Sequence, residues 1–202
     1  MAKKGYATKT DIENYILTTI DSTFDNQVDK WIESMENYVD QMTGRNFIAD
    51  AEDHETDKYF DGDNSSKLLI DDCISVKEIE SGEGNILVPD TTIMKADGDF
   101  VTYPANRLPI TRIQLRGSYF PAWPHQGVRI KARWGYSAEV PADITQVVVV
   151  LVSGIINYGN NAEGEVKSMS IGSYSVTYKD EKQWQDFERV AEILANYKKF
   201  II

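Results

Sequence analysis

The chain is short of imidazole and thiol side chains. Of its 202 residues, one is cysteine, Cys73 in "LLIDDCISV", and two are histidine, His54 and His125. A single cysteine excludes an internal disulfide and any four-cysteine metal site. Cys73 is expected as a small buried apolar residue. Neither histidine stands at a metal-ligand spacing from its neighbours. Long apolar runs are missing too. The most apolar stretch, "VVVVLVSGII" from Val147 to Ile156, falls short of the ~20 residues that span a bilayer, and reads as a core helix. The basic start "MAKKGYATKTDIENY" leads into no apolar run and so lacks the form of a signal peptide. A soluble protein made in the cytoplasm, with no membrane partner, is expected. The phosphate-cradling glycine loop is absent, since "GEG" at 82–84 lacks the following Lys-Ser/Thr. So is the Gly-x-Ser-x-Gly elbow.

Positive charge is also scarce: 21 Lys and Arg face 32 Asp and Glu, a net charge of −11. Tight binding of a nucleic-acid backbone needs cations to displace counterions, so a firm grip on DNA is not expected. What remains is ordinary. With 42% hydrophobic and 26% charged residues, the chain suits one domain, or one domain with a sizeable insertion.

Periodicity divides the chain. In "TKTDIENYILTTI", Thr8 and Asp11 resemble a capping pair, and Ile12, Tyr15, Ile16 and Ile20 share a face. A second helix places Val28, Trp31, Ile32, Met35, Val39 and Met42 at spacings of three and four. Asp25 is expected to cap its start and Gly44 to end it. From "YFDGDNSSKLLIDD" the period changes to short strands with turn signals, the best being "ITRIQLRG" and "VRIKARWGY". Helix returns at Pro141, which suits a first turn, with Asp143 complementing the dipole. Four consecutive valines argue against helix there, but the length and end signals favour it. "SMSIGSYSVTYK" reads as a strand or hairpin from the partial alternation of Ile171, Tyr174, Val176 and Tyr178. A final helix has Trp184, Phe187, Val190, Ala191, Leu194 and Tyr197 on its apolar face. The expected class is α+β: a helical body of about four helices with a small antiparallel β insertion. The body comprises residues 1–57 and 137–202, and the insertion residues 58–136.

No residue set singles itself out for catalysis, and neither an enzyme nor a cofactor is expected. Two acidic stretches are candidates for metal. His54 lies among Asp50, Glu52, Asp53, Glu55 and Asp57, which also suits a solvated loop. Asp61, Asp63, Ser65 and Asp72 take positions one, three, five and twelve of a calcium loop, but Ser66 stands where glycine is needed and the flanks look like strands. A polar turn suits that stretch better. Tyr119, Phe120, Trp123, Trp134 and Tyr136 lie on or near strands and would suit a carbohydrate-binding module, although Trp134 falls on the apolar side of its strand.

Charge placement says more. Residues 1–60 hold thirteen acidic and six basic residues, whereas residues 107–136 hold six basic and none acidic. Arg112 and Arg116 share one side of their strand, and Arg129, Lys131 and Arg133 one side of theirs. If these strands paired, like charges would face each other. Three readings answer this, the weakest being a DNA-binding face, since the whole chain is acidic. Asp71, Asp72, Glu78 and Glu80 neutralise the cations from neighbouring strands. Alternatively, a second copy does, through a head-to-tail contact that closes into a ring.

Three stretches, "ENYVDQMTGRNF", "YFDGDNSSKLLIDD" and "ARWGYSAEVPADI", resemble the head–tail connector proteins of long-tailed bacteriophages, also called adaptor or head-completion proteins. In that family a long helix ends in a Thr-Gly-Arg-x-Phe turn, matched by Thr43, Gly44, Arg45 and Phe47. A strand then gives way to Trp-Gly-Tyr, a variable turn, Val-Pro and a helix, matched by Trp134, Gly135, Tyr136, Val140 and Pro141. The large β insertion departs from the smallest members. The resemblance implies a typically dodecameric ring beneath the portal protein, at the head–tail interface of the virion. That ring extends the channel for passing double-stranded DNA and offers a platform to a stopper or tail-completion protein. It also implies that the C-terminal segment, here Tyr197, Lys198, Lys199, Phe200, Ile201 and Ile202, reaches the portal. A tail-completion or minor capsid protein is the alternative within the same class.

Overall fold

The computed structural model describes residues 4–82, 84–89, 98–160, 167–171, 174–178 and 181–199. The fold is mixed α+β, with four α-helices and an antiparallel six-stranded sheet among the described residues. It divides into two compact units, one of residues 1–45 and 140–202 and the other of residues 46–139.

The first unit holds the helices. Helix α1 (Lys9–Ile16) opens with the expected capping box: the Asp11 N–H donates to Thr8 Oγ1 at 3.2 Å, and the Thr8 N–H to Asp11 Oδ2 at 2.8 Å. Only Ile12 of the expected face is buried; Tyr15 is exposed, and Ile16 and Ile20 are half-buried. Helix α2 (Asp25–Thr43) buries Val28, Ile32, Met35 and Val39, while Trp31 is half-buried and Met42 exposed. Asp25 is not its cap. A short 3-10 turn, Ser22–Phe24, runs straight into the helix and is itself capped by Asp21, so Asp25 is free to take the Lys9 ammonium at 2.6 Å. At the other end Gly44 adopts φ +68° and donates its N–H to Asp40 O at 2.8 Å, as the turn signal implied.

Helix α3 (Ala142–Asn160) follows Pro141 and buries Ile144, Val147, Val148, Val149, Leu151 and Val152. Helices α1, α2 and α4 (Glu181–Tyr197) all pack on it. Burial on several sides explains why the valine run is helical: each enclosed side chain gains roughly 1.5–3 kcal/mol, well above the few tenths of a kilocalorie that β-branching costs. In α4, Val190 and Leu194 are buried and Tyr197 half-buried, but Ala191 is exposed; the side chains of Trp184 and Phe187 lie outside the described residues. Strands β7 (Lys167–Ile171) and β8 (Tyr174–Tyr178) form the expected hairpin.

The second unit holds the sheet: β1 (Thr56–Phe60), β2 (Lys67–Ser81), β3 (Asn85–Leu87), β4 (Phe100–Tyr103), β5 (Ile110–Leu115) and β6 (Val128–Trp134). Its order is β1-β6-β2-β5-β4, with β3 beside β2. The two cationic strands are therefore not partners, because β2 lies between them. Strand β2 joins "KLLIDD" and "SVKEIES", expected as separate short strands, into one element. Its first half, to Cys73, pairs with β5, and its second half, from Cys73, pairs with β6. The ladder slips between Leu69 and Cys73, between Cys73 and Ser75, and between Val76 and Glu78. Slips of this kind bend a strand, and the bend brings the far ends of β2 together. The Asn64 N–H donates to Phe120 O at 2.9 Å and the Gly82 N–H to Gly127 O at 3.1 Å, from one and the same loop. Inside the bend lie Leu68, Ile70, Cys73, Ile79, Ile113, Phe120, Val128, Ile130 and Trp134.

Candidate functional site: the charged sheet face and its seam

Strand β6 alternates cleanly. Val128, Ile130, Ala132 and Trp134 are buried, while Arg129, Lys131 and Arg133 point the other way and are half-buried. Register explains what meets them. Arg129 stands opposite Tyr59 and Glu80, and Lys131 opposite Asp57 and Glu78. The Arg129 guanidinium donates to Glu80 Oε2 at 2.8 Å, Glu78 Oε1 at 2.6 Å and Asp57 Oδ1 at 3.2 Å. Its hydrogen bonds to Glu80 and then Glu78 hold its pKa above the ordinary arginine range. Glu78 and Glu80, two of the four acidic residues expected to neutralise the cations, do so at Arg129. The third, Asp71, instead takes the Lys58 ammonium at 2.8 Å, and the fourth, Asp72, is buried. The reason for a second copy at Arg129, an uncompensated row of like charge, is therefore removed.

The other candidates differ from one another. Arg133 Nε donates to the Asp50 carbonyl. The Arg112 guanidinium lies 4.5 Å from the centroid of the Tyr103 ring, and its Nε is buried without an acceptor. Arg116 is exposed just past the end of β5. Lys131 contributes to the field that lowers the Glu55 pKa, although the hydrogen bond from Lys77 is the larger cause.

The Trp-Gly-Tyr stretch lies where the chain enters and leaves the sheet unit. Trp134 is buried, donates Nε1–H to Thr56 O at 2.8 Å, and carries Lys58 Nζ 4.6 Å above its ring. Gly135 has φ +132°, and a Cβ there would stand 2.4 Å from Ala49 Cα. Backbone bonds then stitch the two crossings together: Tyr136 N–H to Asn46 O, Asp50 N–H to Trp134 O, and Ala49 N–H to Ser137 O, each at 2.8 Å. Phe47 and Tyr136 add a tilted ring contact at 5.5 Å.

The Thr-Gly-Arg turn has a counterpart role in the helical unit. Arg45 Nε donates to the Tyr197 carbonyl, and the Lys199 N–H to Thr43 O at 2.7 Å. The Tyr197 hydroxyl reaches Asp143 Oδ2 at 2.9 Å. Of the portal-contact candidates, Tyr197 and Lys199 are thus tied to this turn, Lys198 is exposed, and Phe200, Ile201 and Ile202 lie outside the described residues. Pro141 carbonyl accepts the first bonds of α3, from Ile144 and Thr145.

The calcium-loop candidates separate. Asp61 Oδ1 accepts the Gln126 N–H at 2.6 Å, Asp63 Oδ1 accepts the Ser65 N–H at 2.9 Å, and Asp72 is buried on β2. His54 sits in an exposed turn. Among the described residues no group of three or more His, Cys, Asp and Glu side chains is placed to hold a metal ion. The aromatic candidates separate too: Trp134 and Phe120 are core, Tyr136 is half-buried, and Tyr119 and Trp123 are exposed.

Neither a protein family nor a curated protein matches this chain. Solved structures do. One similar chain comes from the neck of a native gene transfer agent (GTA) particle computed with C12 symmetry; it shares 12% identity, covers 97% of this chain and 93% of its own, and has a TM-score of 0.51. Another comes from the neck of an empty GTA particle computed with C6 symmetry, at 12% identity, covering 100% of this chain and 94% of its own, with a TM-score of 0.57. The chain has the fold of those neck chains. At 12% identity the likeness is one of fold alone, and it extends over both units. Among the described residues, no helix is long and apolar enough to cross a membrane.

Proposed function

We propose that the chain is a structural component of the neck of a phage-like particle, specifically an adaptor-type connector without catalytic activity. In this reading several copies form a ring under the portal protein, extend the DNA channel, and present a platform to a stopper or tail protein. The observation that carries the reading is the fold likeness to neck chains over essentially the whole length. The matched turns at Thr43–Arg45 and Trp134–Tyr136 support it from the sequence side. The charge fits the task, because a net −11 per copy, repeated around a channel, lets DNA pass without adhering. Arg116, just past β5, and Lys131, on the sheet face, are subunit-interface candidates. The end of α4, with Lys198 and residues 200–202, is the candidate portal contact.

Electron cryomicroscopy of particles carrying a tagged copy of the chain tests this. A tag density arranged as a ring between head and tail is the expected result. Particles lacking the chain are expected to give heads without attached tails. Tag density along the tail tube or within the capsid shell would overturn the reading.

A further inference from the structure

The sheet unit carries an exposed indole on a hydrogen-bonded loop at the end opposite to its seam. From the seam at Trp134, the seven-residue strand β6 leads back to Val128, roughly 20 Å at a strand's rise per residue. There the loop 61–66, Gly82 and the loop 116–127 meet. They are stitched together. The Phe120 N–H donates to Ser65 O at 2.9 Å and the Ala122 N–H to Asn64 Oδ1 at 3.0 Å. The Gln126 N–H donates to Asp61 Oδ1 at 2.6 Å. Phe120 is wholly buried, and Gly62 sits so close beneath the loop that a Cβ would stand 2.3 Å from Pro121 O. On this fixed base Trp123 is 75% exposed and Tyr119 59% exposed. His125 meets the Trp123 ring edge-on at 5.5 Å, and its Nδ1 lies 3.7 Å from Asp61 Oδ1. Asp61 and Asp63 give this end two carboxylates, Asp63 being held below its ordinary pKa by its hydrogen bonds with Ser65, while Lys67 and Arg116 are exposed at the same end.

A large aromatic on a fixed loop offers much contact area for few torsions when a partner covers it, which is how interface hot spots are built. The indole face beside carboxylates selects a cationic partner, a guanidinium above all. The opposite end of the same sheet offers one. Strand β5 starts at Ile110, paired with Cys73 at the bend, and runs toward the Trp123 end, where Gln114 pairs with Lys67. The loop before Ile110 therefore lies at the far end from Trp123. It exposes Arg107, and Leu108 is 53% exposed.

We propose that the Trp123 end of one copy docks on the Arg107–Leu108 loop of a second copy, with the guanidinium over the indole and against Asp61. The contact joins two different surfaces, so it propagates head to tail and closes into a ring when the rotation permits. It deepens the ring reading above and rests on it.

Sedimentation velocity of the purified full chain across a concentration series tests the pairing. The variants are Trp123→Ala, Asp61→Arg, Arg107→Glu and the double variant Asp61→Arg/Arg107→Glu. Trp123→Ala is expected to weaken self-association at least ~10-fold, with an unchanged melting temperature because the ring is exposed. Each charge reversal is expected to weaken it, and the double variant, or a mixture of the two single variants, to restore it. Self-association that ignores Trp123, reversals that are not rescued, or a wild-type chain that stays monomeric up to ~1 mM would each overturn the pairing. Saccharide binding through Trp123 in place of self-association would do so too. The neck reading fails separately. Trp123→Ala particles with an intact ring break the pairing alone, whereas a tagged chain absent from the neck breaks the reading beneath it.

Discussion

The two units are held by different means. In the helical unit an apolar helix, α3, lies against three others, and regular turns of helix place the buried side chains of each element. In the sheet unit the apolar and charged groups are separated by strand alternation, and every important partner is far away in sequence. Arg129 meets Glu80 and Asp57, and Gly135 meets Ala49. The first unit tolerates local change, because neighbouring turns of helix share the load. The second depends on backbone passing close to backbone at a few points.

The sharpest way to expose that difference is a pair of glycine substitutions. Gly135→Ala places a methyl 2.4 Å from a main-chain atom at φ +132°, and neither crossing can shift without losing its bonds to the other. We expect a loss of about 3–5 kcal/mol, read as a collapse of the urea midpoint. Gly44→Ala also sits at positive φ, but its nearest neighbour is a Lys199 side-chain carbon at 3.6 Å, an ordinary contact. It should cost only ~1 kcal/mol. Equal losses would remove the contrast.

That pair also shows what could be read in advance. Both glycines stand in recognisable turns, yet the sequence does not say which one has backbone against it. Helix α2 was legible because its buried positions recur at three and four. The hairpin β7–β8 and the helix after Pro141 were legible from alternation and from end signals. The β1–β6 and β2–β6 ladders were not. Strand order depends on the bend in β2, and the bend depends on slips near Cys73 that no turn residue announces. The neutralisation of Arg129 by Glu78 and Glu80 was one of three open readings, and it follows from that strand order. Trp123 and Trp134 look alike in sequence, and only the sheet separates the buried ring from the exposed one.

The next largest effect belongs to the helical unit, at a contact that periodicity misreads. Glu36 occupies a wholly buried position of α2, and its carboxylate accepts the Lys4 and Tyr6 backbone N–H groups at 2.7 and 2.8 Å. Asp40, one turn on, takes the Tyr6 hydroxyl at 2.7 Å. Glu36→Ala leaves two donors without an acceptor, and a cost of about 2–4 kcal/mol is expected. Glu36→Gln keeps one acceptor and should lose about half as much. Hydrogen exchange at the Lys4 and Tyr6 amides checks the assignment, since both should lose protection in the alanine variant.

Charge on the sheet face should matter less, because it is open to solvent and screened. Arg129→Met is expected to destabilise less than Glu36→Ala, and the loss should shrink as salt is added. Nearby, Glu55 is held below the ordinary value of 4.5 first by its hydrogen bond with Lys77. A depressed carboxylate stabilises the fold above its unfolded pKa, and that contribution disappears as pH falls through the folded pKa. Melting temperature should therefore fall on acidification below 4.5, and Glu55→Gln should flatten that fall slightly. In the helical unit Lys9 is raised by Asp25, so its contribution is present below 10.5 and is lost only at higher pH.

The smallest expected effect is the most telling about the division itself. Cys73 is wholly buried at the bend of β2, and burial first, then the Asp72 carboxylate, pushes its thiol up to about 12. At neutral pH it should resist maleimide in the native chain and react once the sheet opens. Labelling is thus a reporter of the sheet unit alone. Gly135→Ala should accelerate it strongly, because the seam lies one bond from Trp134 on the strand that pairs with Cys73. Glu36→Ala, for all its cost to the helices, should leave the rate unchanged if the two units open independently. A parallel acceleration in both variants would mean that they open as one, and that damage to the N-terminal clasp reaches the sheet.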